Sequence, residues 1–116
     1  MSDIIRLQKK LVKGINCKYG CNVVINCTAF HRKGNPFPVS IVKISDTFVD
    51  EDGNFSSTPL YGSSSNIFVL YYLRDLFAAL EGDTIPPPSQ EFLNSKNYWA
   101  SRETIKDMVN IYGKKT

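Results

Sequence analysis

The sequence has little with which to do chemistry. It holds one histidine, three cysteines and only isolated glycines in 116 residues. No Ser or Cys lies beside His31 in an activating motif such as G-x-S-x-G. Gly20, Gly34, Gly53 and Gly62 stand singly, so no glycine-rich loop can cradle a phosphate. These absences lead us to expect a non-enzymatic protein that needs no cofactor. Apolar runs are also missing. No stretch approaches the ~18 apolar residues of a membrane span, and the opening MSDIIRLQKKLVKG lacks a signal-peptide core. The expectation is a cytoplasmic protein with no membrane partner and with reduced thiols in place of a disulfide framework.

What is present suits one domain over residues 1–116. Hydrophobic content of 42% and aromatic content of 12% are those of a chain that buries a core. Helical periodicity marks residues 3–13, where Ile4, Ile5, Leu7, Leu11 and Val12 share one face and Gly14 offers a stop. Val23-Val24-Ile25 predicts a strand from Cys21 to about Arg32. After the Lys33-Gly34-Asn35-Pro36 turn, residues 37–45 alternate as a second strand. There Val39, Ile41 and Lys43 lie on one face, with Ser40, Val42 and Ile44 on the other. Asp50-Glu51-Asp52-Gly53 is turn chemistry joining residues 47–49 to 54–57.

Ser63-Ser64-Ser65 supplies an N-cap for NIFVLYYLRDLFAALE, the most apolar helical pattern in the chain, stopped by Gly82. Pro86-Pro87-Pro88 forbids helix, a short helical turn fits Gln90–Leu93, and Ser101 caps a last helix over Arg102–Tyr112. The fold class expected is α+β: an N-terminal helix, an antiparallel sheet of three to four strands, a central buried helix and a C-terminal helical segment.

Three motifs raise the question of a metal. CKYGCNVVINCTAFH carries all three cysteines and the histidine as C-x3-C-x5-C-x3-H, the order of an RNA-binding CCCH finger. Four ligands must converge within about 2–2.3 Å of one ion. An extended Val-Val-Ile would instead hold Cys21 and Cys27 about 20 Å apart, at roughly 3.3 Å per residue. Cys21, Val23, Ile25, Cys27, Ala29 and His31 then read as one strand face, a core pattern with the histidine at its rim. The acidic turn resembles part of an EF-hand loop, but Phe48 and Pro59 stand where carboxylates are required. Asp46, Asp50 and Asp52 read as turn carboxylates in preference to a magnesium site.

The net charge of +3 conceals a segregation. Residues 1–34 carry seven Lys or Arg (6, 9, 10, 13, 18, 32, 33) against Asp3, a balance of +6, whereas residues 45–91 carry eight acids against Arg74. Such a dipole either folds its charges against each other or presents a pole to a partner. Arg6, Lys9, Lys10 and Lys13 fall on one helical arc, which Lys18, Arg32 and Lys33 extend. Nucleic acid is the expected partner, with these seven residues meeting phosphates. The competing reading is a protein-binding inhibitor or adaptor. It would work through the acidic pole or through Tyr71 and Arg74 on the outer side of the central helix. Either reading leaves a homo-oligomer open.

Ile67–Pro86, IFVLYYLRDLFAALEGDTIP, contains an apolar run, Leu-Arg-Asp and then Gly-x-x-Ile-Pro. It resembles a stretch of small uncharacterised proteins from bacteriophages and integrative elements of Gram-positive bacteria. The resemblance covers about a sixth of the chain. It implies an accessory protein of a mobile element, for example one tuning replication or countering host defence, and assigns no residue a role.

The purified protein is expected to carry no stoichiometric zinc and to melt at the same temperature with and without chelator. Elemental analysis returning one zinc per chain, released as the fold is lost, would contradict this.

Overall fold

The computed structural model describes residues 3–31, 33–83 and 98–113, apart from the side chains of residues 30 and 98–101. The element order is α1 (Asp3–Tyr19), β1 (Val23–His31), β2 (Pro38–Val49), β3 (Phe55–Ser63), α2 (Asn66–Leu80) and α3 (Tyr98–Tyr112). The strands form one antiparallel sheet in the order β1-β2-β3. This is the α+β architecture expected, with three strands among the described residues. The polyproline segment and the short turn at 90–93 lie outside them.

α2 organises the core. Val69, Leu70, Tyr72, Leu73, Leu76 and Leu80 are buried over almost half of its circumference. Fully burying each such side chain contributes on the order of 1.5–3 kcal/mol. Its C-terminus closes with two hydrogen bonds, from Gly82 N–H to the Ala79 carbonyl and from Asp83 N–H to that of Ala78. Its start follows Ser65 as expected, but no side chain caps it. The hydroxyl of Ser63 instead accepts the Ser65 N–H at 3.0 Å.

α1 is longer than its periodicity suggests. Its sequence suggests a stop at Gly14, yet the helix continues to Tyr19 and ends before Gly20, whose φ is +73°. The reason is tertiary. A Cβ on Gly14 would meet the Phe77 ring of α2 at 3.4 Å, so this glycine marks a close helix–helix approach. Gln8 and Ile15 are the buried residues of α1. The Gln8 amide donates to the Asn66 carbonyl at 2.9 Å, while Leu7 is left 47% exposed. Contacts Gln8–Asn66, Gly14–Phe77 and Lys18–Glu81 make α1 and α2 run parallel.

The other flank of α2 is held by α3, which begins at Tyr98, earlier than the expected Ser101 cap. Ile105 and Met108 are buried. Thr104 donates to the Leu60 carbonyl at 2.8 Å and therefore accepts from the Tyr72 hydroxyl at 2.9 Å. Tyr72 is fully buried and stacks on Tyr61, ring centroids 5.0 Å apart. A register shift between Ile44 and Ser45 gives β3 an extra residue there, so Leu60 and Tyr61 are both buried.

The β1–β2 hairpin outruns the helices. Val23, Val42 and Ile44 are buried and Ile25 is half-buried, but Cys27, Ala29 and His31 are exposed. The strand face read as continuous core therefore corresponds to core only at its first residues. The alternation is right, but among the described residues no helix covers the rest.

Leu76→Ala should cost about 2–5 kcal/mol of stability, as large-to-small core changes do. Arg74→Ala, on the exposed side of the same helix, should cost less than about 0.5 kcal/mol. Chemical denaturation of both variants checks the orientation of α2, and reversed costs would refute it.

Candidate functional site

The N-terminal helix presents the basic site. Arg6, Lys9, Lys10 and Lys13 are exposed. They lie roughly opposite the buried Gln8 and Ile15, because seven residues complete nearly two turns. Arg6 to Lys13 spans about 10 Å of helix axis at 1.5 Å per residue. Arg6 lies 3.8 Å from Asp3, but both side chains are largely exposed, so the pair neutralises little. Lys9, Lys10 and Lys13 have no ion-pair partner among the described residues.

α1 is held at both ends of this face. Toward the N-terminus, Gln8 bonds the first residue of α2. Toward the C-terminus, the carboxamide of Asn16 donates to the Val23 carbonyl at 3.0 Å and accepts the Val23 N–H at 2.8 Å. A side-chain amide thus takes the place of a neighbouring strand's peptide group at the start of β1. The four cations sit on an element fixed to the core, not on a loose tail.

The remaining basic residues stand elsewhere. Lys18 is ion-paired with Glu81 of α2 and lies within about 6 Å of the Tyr19 and Phe77 rings. It joins α1 to α2. Lys33 is exposed in the turn beyond β1, up to about 30 Å along the strand from Val23 at roughly 3.3 Å per residue. Arg32 lies outside the described residues. Sequence proximity groups Lys18 and Lys33 with Arg6, Lys9, Lys10 and Lys13, and the fold sets both apart from that arc. On α2, Tyr71 is half-buried and Arg74 exposed, the guanidinium carbon 5.8 Å from the Tyr71 ring centroid. Phe68 lies beside Tyr71, with ring centroids 6.5 Å apart.

The acidic pole has an apolar tip that periodicity and charge do not single out. Val49 and Phe55 pair across β2 and β3 and are 59% and 90% exposed. They flank the turn in which the Asp50 carboxylate accepts the backbone N–H groups of Asp52 and Asn54. The signal was their position: residues beside a tight turn at the end of a sheet are the hardest for a helix layer to cover.

The three cysteines of the C-x3-C-x5-C-x3-H pattern do not converge. Cys17 is exposed on α1, Cys27 is exposed on β1, and the buried Cys21 thiol faces the Ile15 carbonyl at 3.7 Å. Among the described residues no three His, Cys, Asp or Glu side chains are grouped as a metal site requires. Asp46, far from being a turn residue, is 4% exposed and accepts the Asn22 N–H at 3.1 Å and the Tyr112 hydroxyl at 2.7 Å. On the outer sheet face an open depression of ≈ 510 Å³ is lined by residues including Ile41, Lys43, Pro59 and Thr104. It contains no nucleophile–base pair.

Burial raises the Cys21 thiol to about 11 from an ordinary 9.0, with the nearby Asp46 adding to the shift. Burial and the Asp46 hydrogen bond raise Tyr112 to about 12. Comparison with protein families, curated proteins and solved structures finds no match to this chain.

Cys17 and Cys27 should react readily with a thiol reagent near pH 8, and Cys21 only when the fold opens. Because the folded values of Cys21 and Tyr112 lie above their unfolded ones, the stability they contribute is complete below about pH 9. It is lost as pH rises through about 11 to 12. Equal reactivity of all three thiols in the native protein would contradict the placement of Cys21.

Proposed function

We propose that the chain is a non-enzymatic binding protein that contacts nucleic acid through Arg6, Lys9, Lys10 and Lys13 of α1. The observation that carries this reading is a row of four exposed cations on a helix clamped to the core, with Asp3 the only acid on that helix. Phosphates repeat along a backbone and attract such a row, releasing condensed counterions. Lys18, engaged with Glu81, contributes less, and Lys33 would reach only a ligand that also follows the β1–β2 hairpin. In the mobile-element setting that the α2 resemblance implies, the bound strand would be that of the element or its host.

A protein partner is the second reading. The exposed Val49 and Phe55 beside Asp50, Glu51 and Asp52 favour it, since a basic peptide with an apolar anchor would complement that tip.

Four phosphate contacts give a slope of log K against log salt of about −3 to −4, at roughly −0.9 per contact for duplex and −0.7 for single strands. Replacing Lys9, Lys10 and Lys13 with Ala should flatten that slope by about two to three units. The melting temperature should change little, because the residues are exposed. Fluorescence anisotropy with labelled single- and double-stranded oligonucleotides measures both. No binding at tens of micromolar protein, or binding indifferent to the triple variant, would shift the function to the Val49/Phe55 tip.

A further inference from the structure

The sheet has two edges, and they are treated differently. β3 carries Pro59 and a register shift, and Thr104 of α3 takes up the Leu60 carbonyl. These are devices that blunt an edge against pairing. β1, VVINCTAFH, has no proline, no Lys, Arg, Asp or Glu, and an unbroken register against β2.

The directions of its peptide groups follow from two hydrogen bonds. Thr47 N–H donates to the Asn22 carbonyl, so even-numbered residues here face β2. Val23 bonds the Asn16 carboxamide on the opposite side, so odd-numbered residues face outward. Asn16 fills the first outward position. The next four, Ile25, Cys27, Ala29 and His31, have no partner on that side among the described residues. Cys27, Ala29 and His31 are also exposed, because the hairpin extends past the helices.

We propose that this edge pairs with the same edge of a second copy, β1 antiparallel to β1, about a two-fold axis at Thr28. The register follows from Asn16. With Val23 already bonded, the open stretch runs from Ile25 to His31, and Thr28 is its midpoint. Pairing about Thr28 sets Ile25 opposite His31 of the second copy and Cys27 opposite Ala29. All four open positions of each chain are used, giving roughly eight hydrogen bonds, two per pair. A shift of two residues either strands a pair or calls on Val23, which is occupied. The strand meets a complement as neutral as itself, and three short strands become a continuous six-stranded sheet.

Two properties follow. The contact is one strand wide, well short of the roughly 1,200–2,000 Å² of a stable interface, so the dimer is weak. The axis is normal to the sheet, which places both α1 helices and their cations on the same side. Like charge then opposes pairing, and salt that screens it strengthens the dimer. The inference does not rest on nucleic-acid binding, and nuclease-treated protein without oligonucleotide tests it alone.

Sedimentation velocity over a series of protein concentrations should show a dimer fraction that grows with concentration and with salt. Ala29→Pro should remove the dimer, because it deletes an outward N–H and leaves the β2 ladder intact. In a Cys17→Ser, Cys27→Ser background, Thr28→Cys should cross-link to itself under mild oxidation. Residues facing each other in such a non-hydrogen-bonded pair have Cα atoms about 4.5 Å apart, within disulfide reach. Asn26→Cys should not, since Phe30 of the second copy lies opposite. A chain that stays monomeric throughout, a dimer untouched by Ala29→Pro, or cross-linking at 26 in preference to 28 would each overturn the proposal. The cross-links decide it even if the proline variant fails to fold.

Discussion

A helix buried over almost half its circumference has to be covered on several sides at once, and that requirement on α2 sets the positions of the other elements. The sheet supplies one cover through Val23, Val42, Ile44 and Tyr61. α1 closes one flank, where Gly14 admits the Phe77 ring. α3 closes the other through Ile105, Met108 and the hydrogen-bonded chain from Tyr72 through Thr104 to the Leu60 carbonyl. Each flanking helix therefore has its inner face determined by α2. What it shows to solvent is the remainder. The basic face of α1 is that remainder, which is why its cations are held in a fixed arc.

Gln8 and Asp46, polar side chains taken into this core, are both hydrogen-bonded. Gln8 is 3% exposed and bonds the Asn66 carbonyl; Asp46 is 4% exposed and receives one backbone and one phenolic donor. A buried group left without a partner costs about 1–3 kcal/mol, so these contacts specify which helix face turns inward as firmly as the apolar residues do. Asn16 extends the same logic to the surface. Its carboxamide anchors the end of α1 to the first residue of β1, and by doing so it also ends the series of bonded positions along that edge. One side chain orients the basic helix and defines the open edge.

Much of this was legible in the residues. Period-3.6 apolar spacing located α1 and α2, and alternation in residues 37–45 separated Val42 and Ile44 from Val39 and Ile41, though only the fold shows that the first pair is the buried one. Other features depend on neighbours distant in sequence. Gly14 reads as a stop because its intrinsic helix propensity is poor, and only the Phe77 ring explains why the helix runs on. Lys18 looks like one more cation of the basic segment until Glu81, 63 residues away, takes it. Cys27, Ala29 and His31 follow the core alternation of β1 but lie beyond the reach of the helices. Periodicity reports which face a residue occupies. It does not report how far along that face the cover extends.

The same limit applies to charge. The sequence shows two poles and leaves undecided whether they neutralise each other. Among the described residues the ion pairs are Arg6–Asp3, within one helix and exposed, and Lys18–Glu81. Only the second joins the basic segment to the acidic one. Asp46 is taken into the core, but Lys9, Lys10 and Lys13 on α1 and Glu51 and Asp52 in the β2–β3 turn face water. Exposed like charges repel, and holding three lysines together on one rigid helix has no return within the isolated chain. Their field falls off over about 8–10 Å at physiological salt, so it acts on a ligand approaching α1 and not on the remote acidic turn. A fixed, unneutralised field of that reach would steer an anionic ligand, as proposed for nucleic acid, toward α1 before any contact forms. It also weakens as salt rises, in the opposite sense to the pairing of two β1 edges.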